Sequence, residues 1–86
     1  MTNGIDNLIV MANRIGDFFE SQPNREESVA GIAKHIRSFW EPRMRKNILE
    51  FLAQHPDGVG PNETLTPITL EALQSNKDML TPRATA

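Results

Sequence analysis

Residues 24–52 read NREESVAGIAKHIRSFWEPRMRKNILEFL, and this stretch decides the fold. Asn24 followed by Glu27 has the spacing of a capped helix start. Apolar residues then recur on one arc of a helical wheel as far as Trp40. Because a proline displaces the preceding residue from helical geometry and is tolerated at the first helical position, Pro42 marks a corner where a new helix begins. The pattern predicts helices at about residues 24–40 and 42–55.

Two further helices are predicted outside this stretch. In the first, at about residues 5–20, Leu8, Ala12, Ile15 and Phe19 recur at helical spacing. Its flanking apolar residues widen the stripe to about half of the helix circumference, which is enough to face a second neighbour outside the domain. After a Gly- and Pro-rich loop, Thr66-Pro67 has the form of a helix start and predicts a short helix at about residues 67–75.

These elements predict an all-α fold, a small bundle of three main helices plus a short C-terminal helix. The chain has 86 residues, which allows one small domain, and no stretch alternates as a strand would. We therefore expect a single helical domain over residues 1–75. Residues 76–86 carry no apolar period, so we expect them to be loosely ordered or laid on a partner.

Composition excludes several function classes. The chain has no cysteine, so it has no disulfide, iron–sulfur ligation or thiolate zinc site. His35 and His55 show no metal-binding spacing, and the Gly58–Gly60 loop lacks the residues that would hold a phosphate. We expect no catalytic, cofactor-binding or metal-binding residue in this chain. No apolar run reaches membrane-spanning length and no signal peptide is visible, which predicts a cytoplasmic protein without membrane contact.

The charge of the chain is small in sum but uneven along the sequence. Residues 34–46 hold five basic residues and one acidic residue, whereas the whole chain has a formal charge of −2 and a pI of about 5.6. A local basic patch suits an acidic protein surface, and the acidic pI disfavours general nucleic-acid binding. A free-standing nucleic-acid-binding regulator, using the second and third helices as a helix–turn–helix, stays an alternative, although their junction is abrupt for that motif.

The corner at residues 39–45, FWEPRMR, is the most informative part of the sequence. Trp and Arg are enriched at interface hot spots, so this segment is a candidate docking surface. An alternative, structural interpretation is that Trp40 and Met44 belong to the core while the arginines are solvated. The docking and the structural interpretation are compatible with each other. Arg45 falls on the apolar face of its helix. Either its stem lies along apolar surface with its head in water, or it reaches a carboxylate on another chain.

Three segments together resemble a known family, the delta subunit of cytoplasmic NAD-dependent, molybdenum-containing formate dehydrogenases. The first is Met11-Ala12-Asn13 with the paired aromatics Phe18 and Phe19. The second and most specific is the block at residues 39–44, FWEPRM. The third is the Leu-Thr-Pro segment at residues 65–67.

The resemblance implies a non-catalytic accessory subunit that supports assembly or stability of a large catalytic subunit, its partner. It also implies that the partner subunits hold a bis-molybdopterin guanine dinucleotide centre, iron–sulfur clusters, FMN and NAD, and oxidise formate to carbon dioxide. From the matched blocks and the aromatic side chains we predict a partner interface made of Met11, Asn13, Phe18, Phe39, Trp40, Pro42, Arg43, Met44 and Arg45.

Overall fold

The fold is known from a computed structural model, which describes residues 4–82. Five helices follow one another along this part of the chain: α1 (Gly4–Glu20), α2 (Arg25–Phe39), α3 (Pro42–Gln54), α4 (Pro67–Ser75) and α5 (Lys77–Leu80). Within residues 4–82, β structure is limited to one isolated bridge between Val59 and Thr64. The predicted all-α class, with three main helices and a short C-terminal one, is confirmed.

The helix ends follow from the residues that the sequence places there. The Asn24 side chain accepts a hydrogen bond from the Glu27 backbone N–H at 3.0 Å, which satisfies one of the free donors at the start of α2. At its other end Trp40 takes an extended conformation as the C-cap, and Pro42 is the first residue of α3. Only two residues separate these helices, fewer than the three or four of a helix–turn–helix.

The core forms where α1 and α2 pack together and against α4, while α3 packs on α1. Aliphatic side chains from every long helix meet there, and the burial of each contributes about 1.5–3 kcal/mol. The fully buried side chains of this core include Ile9, Ile32, Ile36, Ile48 and Leu73.

Helices α1 and α4 approach each other most closely at Gly16. A Cβ atom at this position would collide with Oγ1 of Thr69, so only glycine fits without a shift of that side chain. The same hydroxyl shares a 2.7 Å hydrogen bond with Oγ1 of Thr66, the residue that precedes α4. Because Gly16 has no side chain, the hydroxyl groups of Thr66 and Thr69 at the start of α4 fit against α1.

The loop between α3 and α4 is fastened to α1 by two polar side chains. Asp6 is fully buried, and its carboxylate accepts hydrogen bonds from the backbone N–H groups of Asn62 and Glu63, both at 3.1 Å. Asn13 bonds the loop from both ends of its amide. Its Nδ2 donates to the Thr64 carbonyl and its Oδ1 accepts from the Thr66 N–H, each at 2.9 Å. These bonds fix where α4 begins.

The segment after residue 75 differs from the expectation of a loosely ordered or partner-bound tail. Residues 77–80 form α5, and Leu80 is fully buried in the same core as the other helices. Helix α5 therefore packs with the bundle, within the segment that was expected to be a tail. A four-residue helix with a single buried leucine produces no apolar period, which is why the sequence pattern did not reveal it. The rest of the expected tail, residues 83–86, lies outside the described residues.

Candidate docking surface

Helix α1 carries a buried apolar stripe and a second stripe, of mixed composition, that faces outward. The inward stripe, made of Leu8, Ile9, Ala12 and Gly16, is buried. The outward stripe consists of Met11, Arg14, Ile15 and Phe18, which are spaced as i, i+3, i+4 and i+7 and therefore share one side of the helix. Met11 is 41% exposed and Phe18 is 69% exposed. Of the wide apolar stripe predicted for this helix, Met11 and Phe18 therefore stay exposed.

A row of ring contacts runs from α1 to the end of α2, and we call it the aromatic row. Phe18 meets Phe19 edge-on with ring centroids 5.1 Å apart, and Phe19 lies 6.3 Å from His35. His35 in turn lies 4.6 Å from Phe39, whose side chain is 74% exposed. Two phenylalanines of this row, Phe18 and Phe39, are therefore largely in water, where each forgoes its burial free energy.

A shallow groove of about 460 Å³ lies beside the row, and we call it the α1–α2 groove. It brings together the predicted interface residues Met11, Phe39, Trp40 and Met44, although they come from three different helices and a corner. Its complete lining is Met11, Arg14, Ile15, His35, Phe39, Trp40, Glu41 and Met44. Arg14, Ile15, His35 and Glu41 line the same groove and were not among the predicted interface residues. The i, i+3, i+4, i+7 spacing of the outward stripe was the signal that could have found the first two.

Arg43 does not join this groove. It is exposed and lines a second groove of about 520 Å³ between the start of α1 and α3, together with Met44 and Phe51. Met44 borders both grooves, so the corner divides the predicted interface into two surfaces. Pro42 is exposed as the first residue of α3.

Trp40 lies in the core, in agreement with the interpretation of this residue as a structural one. The side chain is only 6% exposed and belongs to the same apolar cluster as the aliphatic residues of the bundle. The side-chain amide of Asn13 likewise forms its hydrogen bonds within the chain, to the backbone of Thr64 and Thr66. The structure therefore gives both residues a role in holding the surface in place.

Arg45 requires a correction. Of the two alternatives for this residue, a head group in water is contradicted, because Arg45 is 6% exposed and its Nη1 donates a hydrogen bond to the Leu80 carbonyl at 3.2 Å. Its buried Nε has no hydrogen-bond partner in the described part of the chain. The physical reason is α5, which covers this face of α3 and which the sequence pattern did not predict. Arg45 is thus unavailable to a partner in this conformation.

The exposed cation that lines the groove, Arg14, has no ion-pair partner within the described residues. Between residues 4 and 82 one ion pair is present, Arg25 with Glu71 at 2.8 Å, and neither residue lines the groove. Arg14 lines the groove without an ion-pair partner among these residues. The groove therefore combines apolar side chains with one exposed cation, Arg14, and one carboxylate, Glu41.

Two kinds of structural feature are absent from residues 4–82. No group of three or more His, Cys, Asp or Glu side chains in residues 4–82 is arranged to hold a metal ion. Among the same residues, no helix combines the length and apolarity needed to cross a bilayer.

Comparison with known proteins bears directly on the class of this chain. The family model described as "NADH-dependant formate dehydrogenase delta subunit FdsD" matches residues 7–73. No curated protein and no solved structure matches significantly. The matched region contains the outward stripe of α1, the aromatic row and the corner at residues 39–45. Since the match covers more than half of the residues of this chain, the chain belongs to the family of delta subunits of NADH-dependent formate dehydrogenases.

Proposed function

We propose that this protein is a non-catalytic accessory subunit that docks on the catalytic subunit of a formate dehydrogenase complex and supports its assembly or stability. The carrying observation is the exposure of Phe18 and Phe39 on one surface of a chain whose family is a delta subunit of such an enzyme. The cytoplasmic location implied by the resemblance belongs to this proposal.

The physical argument begins with the size of the domain. A chain of 86 residues has a thin core, and each exposed phenylalanine withholds about 1.5–3 kcal/mol of burial free energy. Covering these rings with a partner recovers that free energy. Because the partner binds only the folded chain, association also stabilises the domain by mass action. An exposed apolar surface of this kind is typical of a protein–protein contact.

Catalysis in this proposal belongs to the partner subunits. The molybdenum centre, iron–sulfur clusters, FMN and NAD implied by the resemblance are assigned to them, together with the oxidation of formate to carbon dioxide. This chain has no cysteine with which to ligate a cluster. Its contribution is an apolar surface on a rigid helical frame, which acts on the amount of assembled enzyme rather than on the chemical step.

The test is to express the catalytic subunits with and without this chain. We expect the yield of assembled, cofactor-loaded complex to fall without it, and turnover per assembled complex to be unchanged. A tagged catalytic subunit should retain the wild-type chain and a Val59→Ser control but lose the Phe18→Ser/Phe39→Ser double variant. Val59 is a suitable control because it is 47% exposed and lines neither groove of the corner.

Two results would contradict the proposal. One is an equal yield of assembled complex with and without the chain. The other is retention of the double variant at the wild-type level, which would mean that the aromatic row is not the docking surface.

A further inference from the structure

We propose that the α1–α2 groove receives a helix of the catalytic subunit and that this helix places a carboxylate against Arg14. The inference rests on the proposed function and deepens it by naming the chemistry of the partner at one position. It concerns a residue outside the corner block and outside the interface predicted from the sequence.

The geometry of the outward stripe favours a helix as the occupant. Met11, Arg14 and Ile15 line the groove as a ridge along α1, and His35 and Phe39 line it from α2. Ridges formed by residues three and four apart pack into the groove of a second helix. Recognition of an amphipathic helix by an apolar groove uses the same spacing of contacts.

The position of Arg14 requires an anion on that helix. The residue is exposed in the free chain, so water solvates its guanidinium, and no ion pair reaches it within the described residues. It lies between Met11 and Phe18 on the same stripe, so an occupant that covers those side chains also removes water from Arg14. A cation covered without a partner is strongly destabilising, whereas a carboxylate can accept two parallel hydrogen bonds from the guanidinium.

The charges that line the groove indicate how the occupant is oriented. One is the Arg14 guanidinium on α1, and the other is the Glu41 carboxylate at the corner. An occupant matches both charges if its carboxylate contacts Arg14 and if water or a basic group contacts Glu41. The order of these two groups along the occupant fixes the direction in which its helix lies in the groove.

The experiment titrates the full-length chain against the purified catalytic subunit at low and high salt. We expect Arg14→Gln to raise the Kd by about three- to tenfold and Arg14→Glu to raise it further, with Arg14→Lys between wild type and Arg14→Gln. The Kd of the wild type should rise with salt more steeply than that of Arg14→Gln. Lys46→Glu is the matched control, because Lys46 is exposed on α3 and lines a different groove. Thermal melts of the free variants should agree, since Arg14 makes no contact that holds the fold.

Three outcomes would overturn the inference. If Arg14→Glu binds within twofold of wild type while Phe39→Ser does not bind, docking stands and the carboxylate is refuted. If the wild type does not bind at all, the proposed function falls together with the inference. If sedimentation shows a dimer of this chain that Arg14→Glu dissociates, the occupant of the groove is a second copy and not the catalytic subunit.

Discussion

Arg45 and Leu80 join the third helix to the end of the fifth, through a 3.2 Å hydrogen bond from the guanidinium Nη1 to the leucine carbonyl. Both residues are buried, and Arg45 has no carboxylate within ion-pair distance in the described part of the chain. Burial of a cation without a counter-ion is unfavourable, so the contact opposes part of the stabilisation that the Leu80 side chain provides. The stability of the contact between α5 and α3 therefore depends on two opposing free energies, the gain from burying Leu80 and the cost of burying the Arg45 charge.

Arg45→Met tests this balance directly. Methionine keeps much of the side-chain volume and removes the buried charge, so we expect a free energy of unfolding within about 1 kcal/mol of wild type. Arg45→Ala, which leaves a void as well, should lower it by about 1–3 kcal/mol. Urea denaturation of the free chain measures both. A loss above about 2 kcal/mol for the methionine variant would show that the hydrogen bond outweighs the cost of burying the charge.

Leu80→Ala tests whether α5 belongs to the cooperative unit. Because the side chain is fully buried, we expect a loss of about 2–4 kcal/mol in the free energy of unfolding. Met79→Ala is the matched control on the same turn. Its side chain is partly exposed, and its effect should stay within about 0.5 kcal/mol. Equal stability of the two variants would place the tail outside the cooperatively folded domain.

Asn13 fastens the loop before α4, so its removal should act locally. We expect Asn13→Ala to cost about 2 kcal/mol, since it leaves the Thr64 carbonyl and the Thr66 N–H without their partner. Hydrogen exchange gives the sharper readout, because the Thr66 amide should lose its protection. Asn7→Ala, an exposed change on the same helix, is the control. Unchanged protection of Thr66 would contradict the role given to Asn13.

The contact between Gly16 and Thr69 predicts a non-additive pair of substitutions. Gly16→Ala places a Cβ against the threonine hydroxyl, and we expect it to destabilise the chain by at least about 2 kcal/mol. Adding Thr69→Ala removes that hydroxyl, so the double variant should recover part of the loss. A double-mutant cycle on urea denaturation measures the coupling. Gly4→Ala is the control, because a Cβ atom at that position would have nothing within 4 Å. Simple additivity would rule out the close approach of α1 and α4.

The helices were predictable because their signals are local. The Asn24 cap, the corner at Pro42 and the start of α4 at Pro67 each depend on neighbouring residues, and the predicted bounds agree with the structure within one residue. The long-range tethers were not predictable in this way. Asn13 reaches a backbone more than 50 residues away, and Leu80 contributes one apolar side chain without any period around it.

Part of the proposed docking surface was predictable from the sequence. The width of the apolar stripe on α1 predicted a second contact, and Met11, Phe18 and Phe39 are exposed. The corner block did not separate side chains that hold the fold from those that face outward. Trp40 and Arg45 were both named in the predicted interface, Trp40 with a core interpretation beside it, and the structure buries both. Whether such a residue points outward depends on which helices cover it, and for Arg45 that helix is α5.

The account depends most on a docking surface formed by the aromatic row. Its most direct test is the Kd between the full-length chain and the purified catalytic subunit, measured for wild type, Phe39→Ser and Val59→Ser. We expect Phe39→Ser to raise the Kd by at least about tenfold, which corresponds to roughly 1.4 kcal/mol, while Val59→Ser leaves it unchanged. Equal Kd values for all three proteins would contradict the account.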